Sequence, residues 1–451
     1  MNYKEARTFA VGVGKTGMVM GLESIENLMR ELSNVQEELS VIHIAGTNGK
    51  GSVGAFLESA LLLSGKTVGR YTSPAVFEPL EVWRVNGQNI SEEDYAEGMT
   101  KIRQACARMT ARGLPHPTIF EVETALAFLL FYRKKCDYVL LETGMGGSAD
   151  ATNLIRKPVC AVITSIGMDH MKFLGDSIEK IAAEKAGIIK PGCPVVTIRQ
   201  PKEAMEVLVR AAKRQHAPLM IADPSEAYAQ VYEKAQNGEN TSSPSEIGYD
   251  YPGVGRIAPG LRGLYQTENS YLAVTVLREV LHLTPEHIRE GIGLARWPGR
   301  FESVSRDGRF VIDGAHNEDA ARKLYDSLRI YFTNREITYI IGVLADKEHE
   351  KMLEIMLPLA ARVYTVTPPN ARALPGEALA EEASRFHGDV TACGSIEEAV
   401  EQAGLHTPAD GVILAFGSLS YLAEVKALVR DLEEGRAGEA VRTGEEDSLD
   451  G

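Results

Sequence analysis

The chain has 451 residues, of which 44% are hydrophobic and 24% charged, which fits a soluble globular protein and is too long for one ordinary core, so two domains are expected. No apolar run is long enough to cross a bilayer, and Met1–Arg7 lack the apolar stretch of a signal peptide, so no membrane partner and a cytoplasmic location are expected. The formal net charge is −14; residues 431–451 hold eight acids and two arginines, and this acidic balance argues against a nucleic-acid surface.

Five cysteines, Cys106, Cys136, Cys160, Cys193 and Cys393, show no Cys-x-x-Cys spacing. They suit reduced, mostly buried thiols, not a disulfide framework or a zinc site. Near the start, Gly12-Val13-Gly14-Lys15-Thr16 imitates a phosphate loop. No apolar strand precedes it and Gly17 follows at once, so it reads as a plain loop. A helix from about Leu22 to Leu32 leads into the first strand.

Ser40 to Ala45 is a short apolar, β-branched run, and reads as a buried strand. It breaks into Gly46-Thr47-Asn48-Gly49-Lys50-Gly51-Ser52, after which Val53 to Leu63 reads as a helix. Strand, glycine turn, lysine and helix in that order make a phosphate loop. Glycines let several backbone N–H groups turn toward one anion, and the helix N-terminus adds partial positive charge. Lys50 reaches the outer phosphates, and Ser52 or Thr47 offers a hydroxyl near Mg²⁺. The common pattern is G-x-x-x-x-G-K-[ST]; here Ile44 stands at the first glycine and Gly51 follows the lysine, so the loop is a variant.

Thr67 to Tyr71 is a second strand, and Ser73 stands just past its end, where an open α/β sheet offers ligands. The loop Ala75–Gln88 carries Phe77, Trp83 and Arg84, whose aromatic rings either stack a flat ligand or pack on the domain. Ser91 to Arg112 and Thr118 to Tyr132 read as helices; Glu121 in the second is either solvent-facing or a site acid. Asp137 to Leu141 is a buried strand ending in Glu142, and a carboxylate there is the usual second half of a phosphate-loop Mg²⁺ site. Val159 to Thr164 is another strand, with Asp169-His170 beyond its end; His170 is either structural or a ligand. Ser177 to Ala186 reads as a helix on which Lys185, taken alone, looks solvated.

Residues 223–262 are irregular, with a long hairpin or mobile loop at Asn237–Gly255. Asn269 opens a helix to Leu281, and Thr284-Pro285-Glu286 starts the next. Trp297-Pro298-Gly299-Arg300 breaks the pattern and marks the domain boundary, giving domains 1–296 and 297–434. The second alternates strands (Phe310–Asp313, Ile337–Val343, Val363–Thr367, Val390–Ala392, Val412–Phe416) with helices, which implies a mostly parallel sheet covered on both faces. Residues 435–451 form an acidic tail expected to be disordered.

Several separated stretches then match one family. They are His43–Ser52, Tyr71-Thr72-Ser73-Pro74, Phe120-Glu121 with Thr124-Ala125, Glu142-Thr143-Gly144, Asp169-His170, Glu184-Lys185-Ala186-Gly187-Ile188, Trp297-Pro298-Gly299-Arg300-Phe301-Glu302, Asp313-Gly314-Ala315-His316-Asn317, Gly342–Lys347 and Gly417-Ser418-Leu419. In this order, over about residues 20–430, the chain resembles folylpolyglutamate synthase, in bacteria often also dihydrofolate synthase, of the Mur ligase superfamily. The fold so implied is α/β: a P-loop NTPase-like N-terminal domain of the Mur ligase central type, then a smaller Rossmann-like, mostly parallel domain.

The resemblance also implies roles. Gly46, Thr47, Asn48, Gly49, Lys50, Gly51 and Ser52 match the ATP-binding loop, with Lys50 catalytic. Ser73, Glu142 and His170 match Mg²⁺ positions, and Lys185 matches a lysine carried as a carbamate, a further catalytic and metal-binding group. Asn269, Arg300 and Asp313 match nucleotide contacts, and His316 a catalytic residue near the phosphates. Ala75-Val76 and Glu81-Val82 stand where the family often has His-Leu and Glu-Arg, in the loop associated with pterin and metal geometry. The implied reaction is ATP-dependent ligation of L-glutamate to a reduced folate or to dihydropteroate, with two Mg²⁺, small-molecule partners only and a monomeric enzyme. Two other readings stay open: a Mur-type ligase acting on a cell-wall nucleotide or peptide, and an ATP-driven switch protein.

Overall fold

The computed structural model describes residues 1–14, 21–236 and 248–446. The chain forms two compact units, Met1–Gly260 with Gln266–Trp297, and Leu261–Tyr265 with Pro298–Gly451. Sequence reading expected one boundary, at Trp297. The chain instead passes between units after Gly260, after Tyr265 and after Trp297.

The first unit is built on an eight-stranded sheet. Its strands are β1 (Val41–Ala45), β2 (Val68–Tyr71), β3 (Trp83–Val85), β4 (Gln88–Asn89), β5 (Tyr138–Glu142), β6 (Cys160–Ile163), β7 (Val195–Ile198) and β8 (Leu219–Ala222). The order is β4-β3-β2-β5-β1-β6-β7-β8. All neighbours from β2 to β8 pair in parallel, and only β3 and β4 run antiparallel at one edge. Every residue of β1 is buried, which is why it reads as an apolar run interrupted only by His43: helices cover both faces of a parallel sheet. The chain leaves β1 toward β2 on one side and later crosses to β6 on the other. Such a switch opens a crevice at the carboxyl end of the central strand, and the glycine turn sits there.

Helix Lys50–Leu63 follows β1. Helix Pro285–Leu294 lies against it, and Gly291 leaves no room for a side chain beside Ala60. Its start matches the reading, with Thr284 capping and Pro285 in the first turn. The helix expected to open at Asn269 instead runs Tyr265–Thr275, so Asn269 lies inside it, buried. The supposed loop at Gly12–Thr16 begins as the end of helix Tyr3–Val13; Lys15 and Thr16 lie outside the described residues. The irregular stretch holds helix Ser225–Gln236 and the hairpin β9 (Tyr249–Tyr251) and β10 (Gly255–Ile257), while residues 237–247 lie outside the described residues.

The second unit carries a six-stranded sheet. Its strands are β11 (Glu302–Ser303), β12 (Phe310–Ile312), β13 (Ile337–Ile341), β14 (Arg362–Thr365), β15 (Val390–Ala392) and β16 (Val412–Phe416). The order is β11-β12-β16-β13-β14-β15, parallel except for the edge strand β11. Helix Leu422–Glu446 carries helical backbone well into the tail expected to be disordered, and residues 447–451 lie outside the described residues. The described cysteines are all free thiols, four buried and Cys136 partly so. No helix among the described residues is long and apolar enough to cross a membrane.

Candidate active site

The glycine turn forms as its residue types require. Gly49 caps helix Lys50–Leu63 at φ +91, in the left-handed region that favours glycine. It brings no side chain to cap the first-turn amides, as Ser, Asp or Asn would. Those N–H groups therefore remain for an anion. The loop is tied from below: the Thr164 hydroxyl donates to the Asn48 carbonyl at 2.7 Å, and the Thr47 hydroxyl to the Gly167 carbonyl at 3.0 Å. Lys50 curls back over it, with Nζ 3.1 Å from the Gly46 carbonyl and 3.8 Å from Glu142 Oε1.

Lys185 is not solvated. It is 3% exposed, and its Nζ donates to the same Gly46 carbonyl at 2.8 Å. Burial brings its pKa down to about 7; the nearby charge of Lys50 adds to this, and Asp169 and Asp150 oppose it. Near neutral pH the neutral amine is thus present in amounts comparable to the ammonium, where an ordinary lysine would be almost wholly charged. Asp150 is itself buried and accepts from the Met145 and Thr152 amides at 2.8 and 3.0 Å and from the Thr152 hydroxyl at 2.6 Å.

Ser73 stands just past the end of β2 and Glu142 is the last residue of the neighbouring β5, since Tyr71 pairs in register with Leu141. Ser73 is half-buried and Glu142 buried. A hydroxyl and a carboxylate are hard oxygen donors, and beside a phosphate loop they fit Mg²⁺. Among the described residues no three His, Cys, Asp or Glu side chains gather into a ready-made cage. Mg²⁺ does not need one, because it keeps waters and takes phosphate oxygens. His170 is exposed, in left-handed backbone at φ 52, with Nε2 3.8 Å from Asp169.

Asn269 meets the phosphate loop through a residue that sequence reading missed. Its Nδ2 donates to Gln266 Oε1 at 3.0 Å, and Gln266 Nε2 donates to the Ser52 hydroxyl at 3.2 Å. A side chain at Gly49 would collide with the Asn269 amide. Helical spacing puts Gln266 and Asn269 on one face, and that was the available signal. Glu121 is buried, not solvent-facing, and closes a capping box, accepting from the Thr118 amide at 2.7 Å. Trp83 packs in the core, its indole N–H donating to the Glu123 carbonyl at 3.0 Å.

In the second unit Asp313 directly follows β12 and is buried. Its Oδ2 accepts from the Tyr265 hydroxyl at 2.6 Å and the Phe301 amide at 2.8 Å, and its Oδ1 from the Ala315 amide at 2.8 Å. Burial raises its pKa, while these donors and Arg300 oppose the rise. Asp313 thus ties the loop carrying Arg300 to the loop carrying His316, helped by the Gly314 amide donating to the Gly299 carbonyl at 3.0 Å. His316 Nδ1 lies 2.8 Å from the Gly314 carbonyl, so this nitrogen carries the proton in the neutral ring. Tyr265, too, was missed by sequence reading.

Two family models match the chain: the Mur ligase middle domain over residues 44–277, and the Mur ligase, glutamate ligase domain over residues 299–419. A dihydrofolate synthase/folylpolyglutamate synthase of Bacillus subtilis is 36% identical over 370 residues, 80% of this chain and 84% of the relative. A folylpolyglutamate synthase of Lacticaseibacillus casei is 32% identical over 385 residues, 83% of this chain and 88% of the relative. Among solved structures, Mycobacterium tuberculosis folylpolyglutamate synthase complexed with ADP and AMPPCP superposes with a TM-score of 0.80 at 28% identity, over 96% of this chain and 99% of that one. E. coli FolC in complex with DHPP and ADP gives 0.81 at 27% identity, over 97% and 99%. Matches that run through both units at this identity establish descent as well as fold, and the chain belongs to the folylpolyglutamate synthase family of the Mur ligase superfamily.

Proposed function

We propose that this protein is an ATP-dependent ligase that joins L-glutamate to a folate through an acyl phosphate. The observation that carries the reading is the uncapped glycine turn with Lys50 and Lys185 on one carbonyl and Glu142 beside them, in a chain of this family. In the first step a carboxylate oxygen of the folate attacks the γ-phosphorus of ATP, and ADP leaves with the bonding electrons. In the second, the glutamate amine attacks the acyl carbon; phosphate leaves, and the amine proton passes to water. Negative groups converge in the first step, so fixed cations and N–H dipoles lower its barrier most. The loop amides and Lys50 supply them, and Asn269 keeps the loop in place through Gln266.

Ser73 and Glu142 would hold one Mg²⁺, and His170 with Lys185 the second. When bound, Mg²⁺ supplies positive charge against the phosphate oxygens. An ammonium at 185 would repel a cation. The neutral amine instead bonds to CO₂ and loses a proton, giving a carbamate with anionic oxygens; the lowered pKa supports this assignment. Arg300 and His316 are assigned to nucleotide contacts by their motifs, and Asp313 acts first by holding their loops. The reading takes the enzyme as a cytoplasmic monomer. The test is one panel: ATP and labelled glutamate, with dihydropteroate or a reduced folate in separate tubes. Incorporation with either folate-type acceptor is expected. Incorporation only with a UDP-muramyl acceptor would overturn the assignment.

A further inference from the structure

Beside the phosphate loop lies a cluster that the reaction scheme does not use. Arg70, in the middle of β2, is 1% exposed. Its Nη1 donates to Glu58 Oε2 at 2.9 Å, and its Nη2 donates to the Gly51 carbonyl. Its guanidinium carbon lies 4.0 Å from the ring centroid of Trp297. As a device for stability this is poor. Glu58 Oε1 and Arg70 Nε find no hydrogen-bond partner among the described residues, and a buried ion pair with unpaired atoms is often no better than an apolar substitute.

The cluster explains the departure of this loop from the common pattern. Gly51 stands where a Ser or Thr usually follows the lysine, and its backbone is helical, so no positive φ demands glycine. A Cβ at Gly51 would lie 2.6 Å from the Trp297 indole nitrogen. One at Gly54 would lie 3.2 Å from Arg70 Nε. The two glycines form a notch for an indole and a guanidinium. In a helix the Gly51 carbonyl and the Ser52 N–H belong to one peptide and point in opposite directions. A cation donating to that carbonyl polarises the N–H at the phosphate end.

We propose that Arg70 and Trp297 are positioning residues for the phosphate loop: the indole, seated on Gly51 under the guanidinium, holds the first turn of helix Lys50–Leu63 so that its amides and Lys50 face the nucleotide phosphates. This rests on the nucleotide reading of the loop given above. Trp297 is also the last residue of the first unit, so the clamp fixes the point where the chain departs.

The test uses the full chain with Trp297→Ala, Trp297→Phe and Arg70→Lys. ADP affinity is measured by calorimetry, and kcat and KM for ATP, folate and glutamate by turnover. Trp297→Ala should weaken ADP by about tenfold, between the worth of an exposed and of a fully desolvated cation–π contact, and raise KM for ATP alike. KM for glutamate should stay within roughly twofold, because the clamp acts on the first turn of the nucleotide loop. Trp297→Phe, which keeps a ring over the guanidinium, should restore most of the affinity. Arg70→Lys keeps the charge but loses the fork, and should weaken ADP. An equal rise in all three KM values, or native ADP affinity in Arg70→Lys or in a folded Trp297→Ala, would overturn the clamp. If Trp297→Ala does not fold, the other two variants decide. A native chain that binds no ADP would remove the nucleotide reading, and the clamp with it.

Discussion

Lys50 and Lys185 donate to one acceptor, the Gly46 carbonyl, and the protein treats them differently. Lys50 has Glu142 close by; Lys185 is sealed in and its proton is held weakly. Lys50→Ala should keep the fold and lower turnover by orders of magnitude, because a cation facing the transition state is lost. Near-normal turnover in a folded variant would remove the phosphate-loop assignment. Lys185→Ala should be inactive, with a small carboxylate such as acetate restoring part of the rate; a crystal structure of the active native enzyme showing an unmodified Lys185 amine far from any metal would end the carbamate claim. Tyr265→Phe takes one of three donors from buried Asp313 and should cost about 1–3 kcal/mol in urea unfolding. The lysine of the loop was legible from its neighbours. The burial of Lys185 was not, because a helix sequence does not say which face meets Gly46, and only the family resemblance pointed to it. Tyr265 was silent for the same reason: its partner Asp313 lies far along the chain.

At the scale of elements, the strands were legible because two-sided burial writes itself as an apolar run, unbroken in β6 and β16 and interrupted in β1 only by His43. Helix Tyr265–Thr275 was mis-started because Asn269 looks like a cap, and caps and buried amides use the same residue types. Helix Ile119–Arg133 shows the limit more sharply. Glu121 drew notice and is a cap, whereas Glu123, two residues on, is the perturbed acid. Burial pushes its pKa up to about 7, with only Arg7 opposing. Its folded pKa lies above its unfolded one, so the native state binds the extra proton. Its contribution to stability is full below the ordinary carboxylate pKa and is lost as pH rises through about 7. Glu123→Gln should therefore flatten the decline between about pH 4.5 and 7 and leave the protein more stable than native at about pH 8. The gain is at most about 1.4 kcal/mol for each tenfold by which burial tightens the proton. Urea unfolding at both ends of that window reads it directly. A variant that tracks the native curve would show that Glu123 is solvated.

For the whole molecule, the informative feature is the short excursion Leu261–Tyr265, which belongs to the second unit although helix Tyr265–Thr275 carries on into the first. The Leu264 amide donates to the Ser327 hydroxyl at 2.9 Å, and the Gly263 amide to the Tyr331 hydroxyl at 3.2 Å. No shift in composition announces such a visit, so sequence reading drew a single boundary. A fragment 1–297 should bind ADP yet be cut by protease at residues 261–265, a site protected in the full chain. Equal protection in both would show that the excursion needs no partner. The feature also bears on how such genes can recombine. An exchange of everything after Trp297 between two relatives leaves five residues of the old second unit stranded beside a new one, with Tyr265 facing a foreign aspartate and Leu264 a foreign serine. Working hybrids should be those that carry residues 261–265 along with the second unit, so inheritance of the two halves is linked through a segment that lies inside the first.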